Sequence, residues 1–119
     1  MIHKFTKSPC FKAGDHTWLR ELLHPKNDRV ALNFSLAHAF LEQGECSLPH
    51  RLEASSETYF FLEGCGEISL DGEVFSVGKF DTVLVPARTL QSVKNTGDCP
   101  LTFLCIVSPP WSADDEKIV

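Results

Sequence analysis

Residues that favour turns divide this chain into short apolar runs, and this pattern favours an all-β fold. The clearest example is the pair of β-prone runs Glu67–Leu70 and Glu73–Val77, which flank Asp71 and Gly72. An Asp-Gly pair between two such runs favours a two-residue hairpin, because the tight turn requires positive φ at its central residues. Several short strands separated by turns are typical of a β-sandwich or barrel.

Three further runs extend the β pattern. Thr82–Val85 reads as a strand that ends at Pro86, because proline donates no ladder hydrogen bond. The run Leu101–Val107 is apolar without alternation, so we expect both of its faces to be covered. In Val30–Leu41 the side chains alternate between two faces. One face carries Phe34, Leu36, His38 and Phe40, and the other carries Ser35, Ala37, Ala39 and Leu41.

Length and charge restrict the class of protein. A chain of 119 residues fits one domain. Its net charge of −5 argues against nucleic acid or an anionic membrane as a partner. No apolar run follows Met1–Lys7, so we expect no leader peptide. The five cysteines form no CxxC pair and are odd in number, which indicates free thiols in a reducing compartment and predicts a cytoplasmic protein.

Strand alternation brings three polar side chains toward one interior. His50 shares a strand face with Leu52, Glu57 shares one with Tyr59, and Gln91 lies on a third run. An imidazole and a carboxylate are good ligands for divalent iron, manganese, nickel or zinc. A Gln carbonyl is a weaker, neutral ligand. His50, Glu57 and Gln91 are therefore the candidate metal ligands.

Three interpretations of these residues remain open. They could bind a metal with positions left for water or substrate. They could instead form a metal-free pocket in which His50 and Glu57 are a hydrogen-bonded pair and Gln91 bonds to one of them or to a ligand. They could also be scattered over the surface, because strand alternation alone does not establish a shared pocket.

Three other residues are candidates for substrate binding. Tyr59 lies on the face of Glu57, and its hydroxyl needs a partner. His38 could reach the same interior, or it could be a core or interface histidine. Arg88 could hold a carboxylate or phosphate through two hydrogen bonds, although a solvated loop arginine is the simpler interpretation.

The spacing of these residues resembles the motifs of the cupin superfamily. The first motif is matched by Gly44, His50, Leu52, Glu57 and Gly64, which are separated by five, one, four and six residues. Leu52 stands in place of the second histidine. The second motif is matched by Pro86, by Arg88 in place of glycine, by Gln91 in place of histidine and by Asn95. Phe80 stands at its leading glycine.

The resemblance implies a small jelly-roll barrel, the double-stranded β-helix, and a metal site. In the family, the ligands are two histidines and a glutamate of the first motif and a histidine of the second. His50 and Glu57 are retained, whereas Leu52 and Gln91 depart, so we expect the metal to be weakly bound or absent. The implied chemistry is that of a metal-dependent dioxygenase, isomerase or lyase acting on a small polar molecule. The alternative is a metal-free ligand-binding or sensing module.

The chain is expected to divide into an arm, a barrel and a tail. Residues 1–30 form an arm that packs on the barrel or on a dimer partner. Within it, the resemblance favours a strand over a helix for the apolar run Trp18–Leu23. Residues 31–108 form the barrel, and residues 109–119 form a charged, mobile tail. The expected partners are a small-molecule ligand and a second copy of the chain.

Overall fold

The computed structural model describes all residues from 1 to 119, and it is built almost entirely of antiparallel strands. The strands are β1 (Phe11–Lys12), β2 (Trp18–Leu23), β3 (Ser35–Leu41), β4 (His50–Leu52), β5 (Ser56–Glu63), β6 (Cys65–Leu70), β7 (Glu73–Gly78), β8 (Thr82–Val85), β9 (Gln91–Asn95), β10 (Leu101–Ser108) and β11 (Glu116–Ile118). A 3₁₀ turn (Phe5–Lys7) and the single helical turn α1 (Pro25–Asp28) are the remaining regular elements. Neither is long and apolar enough to cross a membrane.

The strands form two sheets that enclose a common core. One sheet has six strands in the order β1-β2-β3-β10-β5-β8, and the other has five in the order β11-β4-β9-β6-β7. Strands distant in sequence are neighbours in both sheets, as expected for a jelly roll. Phe61 and Phe103 of the first sheet pack in one cluster with Ile68 and Val93 of the second. The all-β jelly-roll prediction is therefore confirmed.

Inward side chains become smaller and more polar from one end of the barrel to the other. At the closed end, Leu41 pairs with Leu101, both fully buried. The next inward rows along the six-stranded sheet are Ala39, Phe103 and Phe61, then Ala37, Cys105 and Tyr59, then Ser35, Val107 and Glu57. The large aromatic rings fill the middle of the barrel, whereas alanine and serine leave space at the far end.

The charged C-terminal segment belongs to the barrel, so the expectation of a mobile, solvated tail is wrong. Strand β11 pairs with β4, which sets Glu116 opposite Leu52 and Ile118 opposite His50. The Asp115 carboxylate accepts hydrogen bonds from the backbone N–H groups of Ala54 (2.7 Å) and Ser55 (3.1 Å). Charge alone suggested a solvated segment, but here Asp115 is bonded to the backbone between β4 and β5.

The apolar run near the N-terminus is a strand, as expected, and it extends the six-stranded sheet. Strand β2 pairs with β3, and Trp18 lies opposite Phe40, with its ring stacked on the phenyl ring at 6.3 Å between centroids. Both rings lie on the outer face of the sheet, since the inward face of β3 carries Ala39 and Leu41. The arm thus covers part of this outer face.

The rest of the outer face is apolar and open. Leu104 and Ile106 of β10 point outward between buried neighbours, and Leu84 of β8 is 62% exposed. Phe80 is 63% exposed and stacks on Phe60 at 5.9 Å. Both faces of β10 were expected to be covered, but within one chain only the inner face is. A group of exposed apolar side chains on one sheet face is typical of an interaction site.

The predicted hairpin has the expected geometry. Leu70 pairs with Glu73, so the turn contains only Asp71 and Gly72, whose φ values are 50° and 87°. The Asp71 carboxylate accepts a hydrogen bond from the Leu90 N–H at 2.9 Å and so attaches the turn to the loop before β9.

Replacing Gly72 by Val should therefore lower the free energy of unfolding by roughly 1–3 kcal/mol, because a β-branched residue is strained at positive φ. A Cβ at this position would meet no atom within 4 Å, so the effect reports backbone strain alone. Urea unfolding measures it. The control is Gly72→Asn, which tolerates positive φ and should lose much less. Equal stability of the Val and Asn variants would contradict the strain argument.

We further expect the protein to be a homodimer that buries the outer face of the six-stranded sheet. Light scattering at micromolar concentration should give twice the monomer mass, and the double variant Leu84→Glu, Ile106→Glu should give the monomer mass. The matched control is Val74→Glu, which places a charge at a 56% exposed position of the other sheet and should leave the dimer intact. A monomeric wild-type protein would contradict the proposal.

Candidate functional site

A cavity of about 120 Å³ lies between the sheets at the end of the barrel where the inward side chains are small. This space can hold several water molecules or a small ligand. Its apolar wall comprises Phe11, Ala13, Leu19, Ala37, Tyr59, Phe103, Val107 and Trp111. Its polar wall comprises Asp15, Thr17, Glu21, Ser35, His50, Glu57, Cys105 and Glu116.

His50 is the central polar residue of this cavity. It lies on β4 between Gln91 of β9 and Ile118 of β11, and it is 2% exposed. Its Nδ1 lies 2.9 Å from the carbonyl oxygen of Leu48. A carbonyl can only accept, so Nδ1 must carry the proton. In the neutral imidazole, Nε2 is then left with a free lone pair, which is the form that binds metals.

Three carboxylates surround this Nε2. It lies 3.7 Å from Asp15 Oδ2, 4.0 Å from Glu57 Oε1 and 4.0 Å from Glu116 Oε1. These distances exceed the roughly 2.7–3.2 Å of a hydrogen bond. Two ligand atoms on opposite sides of one ion lie about 4.2 Å apart when each bond is about 2.1 Å. The three distances fall within that limit.

Asp15 reaches the site because its loop is fixed by its own side chain. Its Oδ1 accepts hydrogen bonds from the N–H (3.1 Å) and the hydroxyl (2.7 Å) of Thr17. Its backbone carbonyl accepts from the Leu48 N–H at 2.7 Å. The loop between β1 and β2 is thereby joined to the segment that enters β4, and Oδ2 remains free to face His50.

One ligand atom each from Asp15, His50 and Glu116 lies within 4.8 Å of the others, which is the geometry of a three-residue metal site. Asp15 and Glu116 were not among the predicted ligands. The Asp-x-Thr sequence is a signal for a local turn, and it could have identified Asp15 as an ordered residue. Glu116 had no local signal, because only the pairing of β11 with β4 brings it to the cavity.

Burial shifts the pKa of two of these carboxyl groups upward. Burial raises the pKa of Glu57 to about 7, an effect that the charge of Asp15 strengthens and that of His50 partly offsets. Burial also raises the pKa of Glu116, again with an opposing contribution from His50. Both shifts have the sign expected for carboxylates crowded in a site of low dielectric constant.

The structure places the other predicted site residues in two different environments. Gln91 is 1% exposed, and its Oε1 accepts a hydrogen bond from the Tyr59 hydroxyl at 2.5 Å. Gln91 does not line the cavity, and its amide oxygen is already bonded to Tyr59, so the structure does not place it as a metal ligand there. The Tyr59 ring does line the cavity. The interpretation in which His50, Glu57 and Gln91 are scattered over the surface is wrong.

His38 and Arg88 lie away from the cavity, so neither is positioned to bind substrate there. His38 is on the outer face of β3, where its ring contacts the edge of Phe5 at 4.9 Å. Both faces of β3 carry apolar residues, so alternation alone did not indicate which one is inward. Arg88 is exposed in a loop, and its backbone N–H donates a hydrogen bond to the Leu52 carbonyl at 2.7 Å. The simpler reading of Arg88, a solvated loop residue, agrees with this placement.

Comparison with known sequences gives one family and one relative of nearly full length. The family model described as Cupin domain matches residues 37–107. The uncharacterized protein MJ1618 of Methanocaldococcus jannaschii is 41% identical over 116 residues, which are 98% of this chain and 92% of that protein. The 5-nitrosalicylic acid 1,2-dioxygenase of a Bradyrhizobium species is 38% identical over 58 residues, which are 49% of this chain and only 28% of that enzyme.

Solved structures with similar folds share little sequence with this chain. Pac13 of Streptomyces, a nucleoside dehydratase, superimposes with a TM-score of 0.80 at 20% identity and covers 100% of this chain and 90% of its own. A predicted oxalate decarboxylase of Thermotoga maritima gives a TM-score of 0.80 at 19% identity, covering 91% of this chain and 98% of its own. At such low identity these similarities concern the fold.

The raised pKa of Glu57 predicts a pH-dependent stability of the metal-free protein. Between pH 4.5 and about 7 the native state binds more protons at Glu57 than the unfolded chain does, so the free energy of unfolding should fall as pH rises. In EDTA, the wild-type protein should lose roughly 1–3 kcal/mol of unfolding free energy through Glu57 between pH 5 and pH 8, and Glu57→Gln should remove that loss. The exposed Glu63→Gln is the control. Urea unfolding curves with the same pH dependence in all three proteins would contradict this prediction.

Proposed function

The chain belongs to the cupin domain family, and from that premise we propose that it binds a small molecule beside a divalent cation held by His50, Asp15 and Glu116. One observation carries the proposal. The Asp15 and Glu116 carboxylates lie close enough to the free Nε2 of the buried His50 for all three to bind one ion. With neutral His50, Asp15 and Glu116 would bring two negative charges together in a largely apolar cavity. A divalent cation balances that charge.

The family's usual ligand positions fit a metal poorly in this chain. Leu52 offers no ligand atom and is buried. The Gln91 amide is already bonded to Tyr59. Asp15 and Glu116 lie on the side of His50 that faces the cavity and supply the missing donors. A set of one nitrogen and two carboxylates suits manganese, iron or zinc better than copper, since oxygen ligands favour harder ions.

The cation, when bound, would supply Lewis-acid chemistry, polarising a substrate oxygen or acidifying a water molecule. The protein's own residues would do the rest. The Leu48 carbonyl holds the proton on Nδ1 and so keeps Nε2 directed at the site. Glu57 is outside the three-residue group, and its pKa of about 7 suits a residue that accepts or donates a proton near neutral pH.

The reaction class is that of a dioxygenase, isomerase or lyase acting on a small molecule. The partial similarity to a dioxygenase and the fold shared with a dehydratase support an enzyme. The second candidate function is a metal-free binding or sensing module. The observation that favours it is the loss of two family ligand positions to Leu52 and Gln91.

Metal titration tests the proposal. Protein stripped with EDTA should bind Mn²⁺, Fe²⁺ or Zn²⁺ in calorimetry with a stoichiometry of one per chain. His50→Ala should abolish this binding, and Asp15→Asn and Glu116→Gln should each weaken it by at least about tenfold, because each removes a charged ligand.

The matched control is Asp114→Asn, which removes one exposed carboxylate two residues from Glu116. It should leave the metal affinity unchanged. Equal affinity in the Glu116→Gln and Asp114→Asn proteins would reject the site. A wild-type protein that binds none of these ions would favour the metal-free module.

A further inference from the structure

We infer that the cavity selects small amines, bound as ammonium cations, over carboxylic acids and other anions. The inference names a substrate class for the proposed ligand-binding cavity and rests on that function, but it does not require the metal. It follows from the charge of the cavity wall. Four carboxyl groups line the cavity, those of Asp15, Glu21, Glu57 and Glu116, and no lysine or arginine does.

Four cationic side chains adjoin cavity residues in sequence, and each is engaged elsewhere. Arg51 follows His50, and its Nε pairs with Glu53 Oε1 at 2.9 Å. Lys12 follows Phe11 of the apolar wall, but its Nζ lies over the outer Trp18 ring, 5.2 Å from the centroid. Arg20 is next to Glu21 in β2, but its guanidinium lies over the outer Phe5 ring at 4.6 Å. Lys117 follows Glu116, and its Nζ donates to the Asp114 carbonyl at 2.9 Å. An anion entering the cavity would therefore meet no side chain of opposite charge that is fixed there.

A bound divalent cation does not reverse the sign of this charge. It would offset two of the four carboxylates, and protonation of Glu57 would neutralise a third. One negative charge would still remain, and Glu21 lies outside the three-residue group of Asp15, His50 and Glu116. Glu21 lines the cavity, and its Oε1 accepts a hydrogen bond from the side chain of the exposed Asn27. An ammonium group can be paired there in both the metal-free and the metal-loaded protein.

The cavity also suits the body of such a ligand. The rings of Phe11, Tyr59, Phe103 and Trp111 line it. Aromatic faces attract cations as well as apolar groups, and this attraction increases when the site is shielded from water. A small amine with an apolar or aromatic body would thus have its charge matched by the carboxylates and its body matched by the rings.

Three phenyl compounds of similar size separate charge from shape, namely benzylamine, benzyl alcohol and benzoate. Each is titrated into the wild-type protein by calorimetry near neutral pH, first in EDTA and then with saturating Mn²⁺. Benzylamine should bind at least about tenfold more tightly than benzyl alcohol in both states, a difference of about 1.4 kcal/mol. Benzoate should bind most weakly. Glu21→Gln keeps the acceptor for Asn27 and should reduce the preference for amine over alcohol several-fold, whereas Glu63→Gln should not change it.

The outcomes separate this inference from the metal proposal. Benzoate binding as tightly as benzylamine in either state, equal binding of amine and alcohol, or no binding of any probe would overturn the amine preference. If Mn²⁺ fails to bind while benzylamine is still preferred, the metal site is rejected and the amine preference stands. If Mn²⁺ binds and recruits benzoate, the metal site stands and the amine preference is rejected.

Discussion

The graded size of the inward side chains is the constraint on which the rest of the molecule depends. Phe61 and Phe103 fill the middle of the barrel completely, and their burial stabilises the contact between the two sheets. The rows that follow carry Cys105 and then Val107 in place of Phe103, and these cannot fill the same width. The sheets are held at a separation set by the large rings, so the narrow side chains leave a cavity. The polar groups of the site can then be accommodated without disrupting the core.

Electrostatics inside that cavity follow from how its walls are assembled. Asp15 comes from a loop near the start of the chain and Glu116 from the last strand, and both face an imidazole in β4. Each carboxylate is supported by a neighbour, Asp15 by Thr17 and Glu116 by the pairing of β11 with β4. Because these contacts fix the backbone, the charges cannot move apart to relieve their repulsion. Burial raises the pKa of Glu57 in this setting, and the charges of Asp15 and Glu116 add to the rise while that of His50 opposes it.

The sequence predicts local features of this structure better than it predicts the site. Asp71 and Gly72 determine their turn through backbone geometry, and alternation correctly placed His50, Glu57 and Gln91 inside the barrel. Alternation failed for His38, because the outer face of β3 is as apolar as the inner one. Asp15 and Glu116 could not be identified, since their proximity to His50 arises from tertiary contacts that have no periodicity or spacing in the sequence.

The positions that depart from the cupin motifs indicate that backbone geometry and ligand chemistry are separable in this fold. Phe80 and Arg88 stand where the second motif has glycine, yet both keep a left-handed backbone, with φ of 69° and 67°. The turns have thus been retained at some cost in strain. The ligand positions Leu52 and Gln91, in contrast, are now part of the buried interior. The turns of the barrel are thus kept while the ligand positions change, and the remaining imidazole faces the carboxylates of Asp15, Glu57 and Glu116 in the cavity.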